Sequence, residues 1–295
     1  MGSVARIPST GSSIFLAVRC VPGVEEFVYD VYRRTVRLPR GNGIVELSAA
    51  DDHFVCRARL QDERDTGALE ERCRSFLDLD CDPDAIEEVL KRDPALRRSV
   101  ESLRGLRVVR TLDAHELALR AVLGQQVSVA AAVTAAGRAV ALFGTPLEEP
   151  SGSLTHLSPS VADVIAADLS GLKMPAARRT AFGRLAEALT AGEIALLAGA
   201  DRTETYERLV ALPGIGPWTA SYTCMRALGD PDAFLAGDLG ARRGAAALGL
   251  PETTRALEAH SERWRPWRAY GLQYLWAVIS GINRRDMRPS DVRIA

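Results

Sequence analysis

The chain has 295 residues, 47% hydrophobic and 25% charged, the balance of an ordinary globular protein with room for two or three modest domains. Its 37 basic and 38 acidic residues leave a net charge of −1, which excludes a binder that attracts polyanions by overall field and leaves a local basic face for that task. Five cysteines (Cys20, Cys56, Cys73, Cys81 and Cys224) are scattered without a C-x-x-C or iron–sulfur spacing and read as reduced thiols of a cytosolic protein. The N-terminus lacks a signal-peptide pattern. The longest uncharged run, 121–137, is broken by Gln125, Gln126 and Ser128, so no membrane span is expected.

In chain order, residues 1–12 are small and polar and are expected to be disordered. Residues 14–21 are apolar. Residues 32–38 alternate like a strand, Gly41-Asn42-Gly43 is a hairpin turn signal, and 44–47 and 53–60 continue as strands. Between 66 and 79, Leu69, Cys73, Phe76 and Leu77 recur at helical spacing, and Asp82-Pro83 starts a second helix that runs to Leu90. These segments predict a small α+β domain over 13–108.

After Arg110 the strand signals stop. Asp113 caps a helix that runs to Leu123, and the Ala-rich run 128–143 reads as a buried central helix. Pro150, Ser151 and Gly152 mark 148–157 as a loop. Helices over 160–167, 176–190, 203–209, 254–264 and 266–282 complete an all-α body over 109–283, and 284–295 is a polar tail. The predicted architecture is an α+β N-terminal domain followed by a helical body.

The most informative stretch spans 203–228. A short helix ends in Leu212-Pro213-Gly214-Ile215-Gly216, a tight turn with glycines where φ must be free, and Pro217 opens a second helix over 218–228. The free N–H groups of such a hairpin form a cradle that takes a phosphate diester without a basic side chain. Plain αα-hairpins use the same pattern. Here an aspartate, Asp238, stands 22 residues after Gly216 (238 − 216). Hairpin and spaced aspartate together resemble the helix–hairpin–helix superfamily of DNA repair glycosylases. By itself, Asp238 after Gly237 also reads as a helix cap.

Two further stretches sharpen the resemblance. Leu123-Gly124-Gln125-Gln126-Val127-Ser128, on composition a helix–helix corner with exposed amides, is similar to the Leu-Gly-Gln-x-Val-Ser corner of AlkA-type 3-methyladenine DNA glycosylase II enzymes. The resemblance implies that Gln126 is the wedge entering the duplex where the damaged nucleotide leaves, polar where many relatives carry an apolar residue, with Gln125 beside it. Arg263-Trp264-Arg265-Pro266-Trp267-Arg268, followed by Trp276 nine residues on (276 − 267), is similar to the end of the same family's sequences. On the residues alone, Trp264 and Trp267 pack the last helix. The resemblance implies that Trp276 lines a base pocket with Trp218 and Tyr222, which share one helix face at i and i+4, and that Phe15 matches an N-terminal aromatic of that pocket.

The implied function is hydrolysis of the N-glycosidic bond of alkylated purines, of the 3-methyladenine and 7-methylguanine type, in duplex DNA. A base must first be flipped out of the stack, at a few kcal/mol. The cage of Trp218, Tyr222 and Trp276 then holds the cationic base at about 0.5–2 kcal/mol per cation–π contact. Asp238 stabilises the positive sugar and orients or deprotonates water. Gly214, Gly216 and Thr219 are the expected contacts to the DNA strand, and carbonyls of Val210, Leu212 and Ile215 are expected to hold a monovalent cation, sodium or potassium. No catalytic cofactor is expected. Arg242, Arg243, Arg263, Arg265 and Arg268 are candidates for a local positive face.

Related bifunctional enzymes carry a Schiff-base lysine two residues after the second hairpin glycine. That position is Trp218 here, and the chain's two lysines, Lys91 and Lys173, lie elsewhere, so a monofunctional enzyme is expected. Leu239 stands where some relatives have an aromatic, which implies a wider pocket. The family's usual Pro-Pro-Tyr-Asp-Trp-like opening is missing from the first dozen residues. The expected partner is alkylated duplex DNA, met by a monomer in the cytoplasm at the nucleoid. The alternatives are a helix–hairpin–helix glycosylase for an oxidised or mismatched base, and a non-catalytic DNA-binding module.

Overall fold

The computed structural model describes residues 15–50 and 53–280; the expected disordered start, 1–12, and the polar tail, 284–295, lie outside the described residues. An antiparallel meander comes first: β1 (Glu25–Val28), β2 (Val31–Arg37), β3 (Asn42–Ala49) and β4 (Phe54–Leu60), in that spatial order. The β2–β3 hairpin turns over 38–41, just ahead of the predicted Gly-Asn-Gly: Arg37 pairs with Asn42, so Asn42 and Gly43 already belong to β3 and only Gly41 lies in the turn, its carbonyl accepting the Leu38 N–H at 2.8 Å. One face of this sheet packs on α1 (Thr66–Phe76) through Val36, Val45, Leu47, Leu69, Cys73 and Phe76. Period-2 burial on β2 and period-3.6 burial on α1 are what join them.

Eleven further helices follow among the described residues: α2 (Pro83–Leu90), α3 (Pro94–Ser102), α4 (Ala114–Leu123), α5 (Val129–Phe143), α6 (Val161–Ala166), α7 (Ala176–Thr190), α8 (Arg202–Ala211), α9 (Pro217–Ala227), α10 (Leu239–Ala247), α11 (Thr254–Ser261) and α12 (Arg268–Ile279). Most begin on a side-chain cap: Asp82, Asp93, Asp113, Ser128, Ser160, Asp201, Asp238 and Thr253 each accept a backbone N–H of the first turn. Two helical cores result. One gathers α4, α5, α7 and the α8–α9 pair around Val122, Phe182, Leu185 and Leu209. The other gathers α2, α3, α10, α11 and α12 around Leu90, Val100, Leu257, Trp264 and Tyr274.

Four expectations change. The run 148–157 is not a loop: β5 (Thr145–Ser151) and β6 (Leu154–Leu157) form an antiparallel pair against the first sheet, where Thr155 N–H donates to the Gly23 carbonyl and the Thr35 hydroxyl to that of His156. Pro146 and Pro150 hid this strand, because a proline is tolerated only where no ladder hydrogen bond is needed. Second, α5 is not buried on most faces; only Ala136, Ala139 and Val140 are, and its first turns lie exposed. Alanine carries too little apolar surface to mark a face as interior. Third, α2 and α3 pack on the C-terminal helices rather than on the sheet, so packing does not divide at residue 108. Finally, the helices expected from the sequence omit α10, to which only the alternative reading of Asp238 as a helix cap points.

A buried ion network fixes the sheet against the helices. Arg34 on β2 bridges Glu25 (3.1 Å) and Glu116 of α4 (2.6 Å), and Arg120 of α4 reaches the same two carboxylates at 3.0 and 3.1 Å. Two cations and two anions close on themselves, the condition under which buried charge is tolerated. Arg120 also donates to the Arg19 carbonyl at 3.0 Å, which ties the N-terminal segment to the wall of the cleft described next.

Candidate active site

A cleft of about 530 Å³ opens between the first sheet's side of the molecule and the two helical cores. The α8–α9 hairpin sits at its rim. Leu212 ends α8 in extended backbone, and Gly214 takes φ +88°, where a Cβ would also come within 2.7 Å of the Ala181 Cβ. Ile215 is buried and anchors the turn in the core beneath. Gly216 precedes α9 with no side-chain cap, and a Cβ on it would meet open space. With Pro217 first in the helix, the N–H groups of Trp218 and Thr219 have no intrahelical partner and face outward from a helix N-terminus, the arrangement that attracts an anion.

Gln125 reaches this hairpin from the corner between α4 and α5. Its side-chain amide donates to the Gly214 carbonyl at 2.9 Å and to the Thr219 hydroxyl at 3.0 Å. Thr219 is only 2% exposed, so its hydroxyl is engaged inside the protein and is not presented to a phosphate as the sequence suggested. Gln126, next in line, is exposed and takes φ +56°, a left-handed conformation uncommon outside glycine. The corner thus holds one glutamine inward and thrusts the other outward.

Asp238 caps α10 by accepting the Ala241 N–H at 2.8 Å. Both readings of this residue therefore hold in geometry: it is a helix cap, and it lines the cleft. Its other two donors are indoles. Trp218 Nε1 donates to Oδ2 at 2.9 Å and Trp276 Nε1 to Oδ1 at 2.8 Å. No ion pair involves Asp238 among the described residues, so its charge is oriented by neutral donors at the cleft, with the Arg19 guanidinium of the same cleft acting on it at longer range. Three donors fill three of a carboxylate's roughly four acceptor positions, leaving one on Oδ2.

The aromatic residues converge as expected. Trp218 and Tyr222 stack with centroids 5.1 Å apart and planes 7° apart, and Trp276 and Phe15 line the same cleft. Trp276 is delivered by a close crossing of α10 and α12. A Cβ at Gly244 would lie 2.1 Å from the Leu275 carbonyl oxygen, and one at Gly240 would lie 3.0 Å from Asp238 Oδ1 and 3.1 Å from the Trp276 ring. Gly240 and Gly244 are thus site residues that sequence reading missed; their i, i+4 spacing was the available signal. Leu239, 58% exposed, stands at the mouth.

Two arginines at the cleft were also missed. Arg19 stacks its guanidinium on Phe15, 4.0 Å from the ring centroid, and burial pushes its pKa down to about 10. Arg226, on α9, also lies over that ring, 4.2 Å from its centroid. Of the five arginines foreseen as a positive face, Arg265 and Arg268 are bound up with Asp232, Glu258 and Glu262, Arg242 and Arg263 each donate to a backbone carbonyl, and Arg243 lies at the cleft. Trp264 is fully buried and donates to Asp93 at 2.8 Å, a packing role. Val210 lies in the last turn of α8, Leu212 caps it and Ile215 follows in the turn, where the Leu212 carbonyl accepts the Ile215 N–H at 3.0 Å. Neither lysine lines the cleft; Lys91 pairs with Glu87 at 2.7 Å.

Comparison with known proteins agrees with this geometry. Residues 10–113 match the family described as AlkA N-terminal domain. The chain is 49% identical over 276 residues to a "Probable bifunctional transcriptional activator/DNA repair enzyme AlkA" of Mycobacterium tuberculosis, covering 93% of this chain and 56% of that protein. It therefore spans about half the length of that curated relative. It is 32% identical over 270 residues to "DNA-3-methyladenine glycosylase 2" of Escherichia coli, covering 89% and 90% of the two chains. The solved structure of a 3-methyladenine DNA glycosylase from Archaeoglobus fulgidus superposes with a TM-score of 0.79 at 22% identity, over 92% of this chain and 95% of that one, a likeness of fold.

Proposed function

The chain belongs to the AlkA family of DNA-3-methyladenine glycosylases, and from that premise we propose that its cleft receives an alkylated purine flipped out of duplex DNA and that the chain hydrolyses the N-glycosidic bond. The observation that carries the proposal is Asp238 clamped by Trp218 and Trp276 at the wall of an aromatic cleft.

The hairpin holds the strand by the N–H groups of Gly216, Trp218 and Thr219, and carbonyls of Val210, Leu212 and Ile215 are oxygen donors suited to a monovalent cation, sodium or potassium, that would add positive charge beside a phosphate. Gln126 fills the space left by the flipped nucleotide, while Gln125 braces the hairpin. The base enters among Trp218, Tyr222, Trp276 and Phe15. Its C1′–N bond breaks with both electrons passing to the base, which neutralises a 3-methyladenine or 7-methylguanine cation without an acid. The sugar becomes an oxocarbenium ion facing the carboxylate of Asp238, which makes no ion pair among the described residues. Water adds at C1′, its proton passing to Asp238 or to solvent, and an abasic site and free base remain. Without a lysine in the cleft, no Schiff base forms and the strand is left uncut. The chain acts as a monomer on chromosomal DNA, in the cytoplasm at the nucleoid.

Incubation with methylated duplex DNA tests the reading. Release of 3-methyladenine or 7-methylguanine, with strand breakage appearing only after alkali, supports it. No release marks a binding module, release of oxidised or mismatched bases alone marks a different glycosylase, and spontaneous strand breakage marks a bifunctional enzyme.

A further inference from the structure

Trp218, Tyr222 and Arg226 are spaced i, i+4 and i+8 on α9, so one helix face presents all three to the cleft. Trp218 stacks on Tyr222, and the Arg226 guanidinium lies 5.1 Å from the Tyr222 centroid, 5.7 Å from that of Trp276 and 4.2 Å from that of Phe15. Arg226 is 1% exposed. One terminal nitrogen donates to the Val109 carbonyl; Nε and Nη2, both shut off from solvent, make no well-formed hydrogen bond among the described residues, the Tyr222 hydroxyl being the polar group that interacts with the guanidinium. The buried Arg34 and Arg120 each meet two carboxylates, whereas Arg226 meets none. A buried guanidinium with idle N–H groups is an unfavourable arrangement whose missing partner calls for an explanation.

We propose that the partner is the base itself. Arg226 is a specificity-determining residue whose idle N–H groups donate to an exocyclic carbonyl oxygen on the edge of the extruded base, so that the cleft favours alkylated bases carrying a carbonyl over those carrying an amino group at the same position. This rests on the glycosylase reading above. Of the three rings around Arg226, Tyr222 is stacked on Trp218 and Trp276 is hydrogen-bonded to Asp238, while Phe15 is held, among the described residues, by cation–π and apolar contacts. Phe15 is therefore the ring that gives way when a base reaches the guanidinium. A cation at this end repels positive charge in the base, and a carbonyl oxygen turned toward it offsets that repulsion. An amino group in the same place sets donor against donor.

Two duplexes test this on the unaltered chain, one with a single 7-methylhypoxanthine and one with a single 7-methyladenine. Both bases are 7-methylpurines, and they carry a carbonyl and an amino group respectively at C6. Each release rate is divided by its uncatalysed depurination rate. The expected result is a preference of tenfold or more for the carbonyl base, collapsing to within threefold in Arg226→Met and partly restored in Arg226→Lys. Equal corrected rates in the unaltered chain overturn the proposal and leave the glycosylase reading intact, as does a preference that survives Arg226→Met. No release of either base, nor of 3-methyladenine from methylated DNA, overturns both. Because the two-duplex comparison needs no variant, the proposal stands or falls even if Arg226→Met does not fold.

Discussion

The indole N–H of Trp276 donates to Oδ1 of Asp238 at 2.8 Å, so a wall of the aromatic cleft also aims the carboxylate. Ring and N–H have separable tasks. Trp276→Phe keeps a stacking surface and removes the donor. A hydrogen bond to a charged group contributes about 1.5–3 kcal/mol. If all of that is felt in the transition state, base release falls on the order of 10- to 100-fold. Trp276→Ala loses the wall as well and is expected to fall further, with weaker binding of cationic bases. Single-turnover release rates across the two variants check this.

The clamp depends on two glycines. In Gly244→Ala the new methyl group meets the Leu275 carbonyl oxygen at 2.1 Å unless α10 and α12 separate. Overpacking of this kind destabilises by roughly 1–3 kcal/mol. Gly240→Ala instead crowds Asp238 and the Trp276 ring at 3.0–3.1 Å. It is expected to lose activity out of proportion to stability. Thermal unfolding beside base-release rates separates the two effects.

Gln125 links the α4–α5 corner to the hairpin through Gly214 and Thr219. Gln125→Ala leaves both without that donor, at about 0.5–1.5 kcal/mol for each neutral bond. The loosened hairpin is expected to bind undamaged and alkylated duplexes more weakly by a similar factor, because the proposed contact of the hairpin is to backbone and not to base. Fluorescence anisotropy with the two duplexes reads this out; a loss confined to the alkylated duplex runs against it.

Asp93 gives a pH signature far from the cleft. Burial disfavours its charge, but hydrogen bonds from Trp264 (2.8 Å), His260 (2.7 Å) and the Ala95 N–H outweigh this and hold its pKa below the usual carboxylate value. A depressed folded-state pKa means stability that is present above the unfolded value of about 3.9 and lost as pH falls through the folded one. Asp93→Asn is therefore expected to be less stable by about 1 kcal/mol or more at pH 7. The gap to the parent closes below about pH 4. Urea midpoints measured from pH 7 to pH 3 test the sign.

Much of the site was legible in the sequence because local rules govern it. Gly214 needs a left-handed backbone and Pro217 a helix start, and Trp218 and Tyr222 share a face by spacing alone. What escaped depends on contacts between distant segments. The β5–β6 pair is stabilised by the first sheet, not by its own proline-bearing residues. Helix α10 is short and Gly-rich, weak in propensity, and owes its place to the crossing with α12. Arg226 reads as one more arginine until the fold closes three rings around it. Thr219 was expected to face DNA, and only the path of Gln125 shows that its hydroxyl turns inward.

The central claim is that the Asp238 charge, and not its helix cap, enables base release. Asparagine also caps helices well, so Asp238→Asn removes the charge while keeping the fold of α10. The decisive measurement is single-turnover release of 7-methylguanine from a duplex by the parent and by Asp238→Asn, with thermal unfolding and duplex affinity recorded for both. The account predicts similar unfolding and affinity with release slowed on the order of 100-fold or more. Release by Asp238→Asn at the parental rate would contradict it.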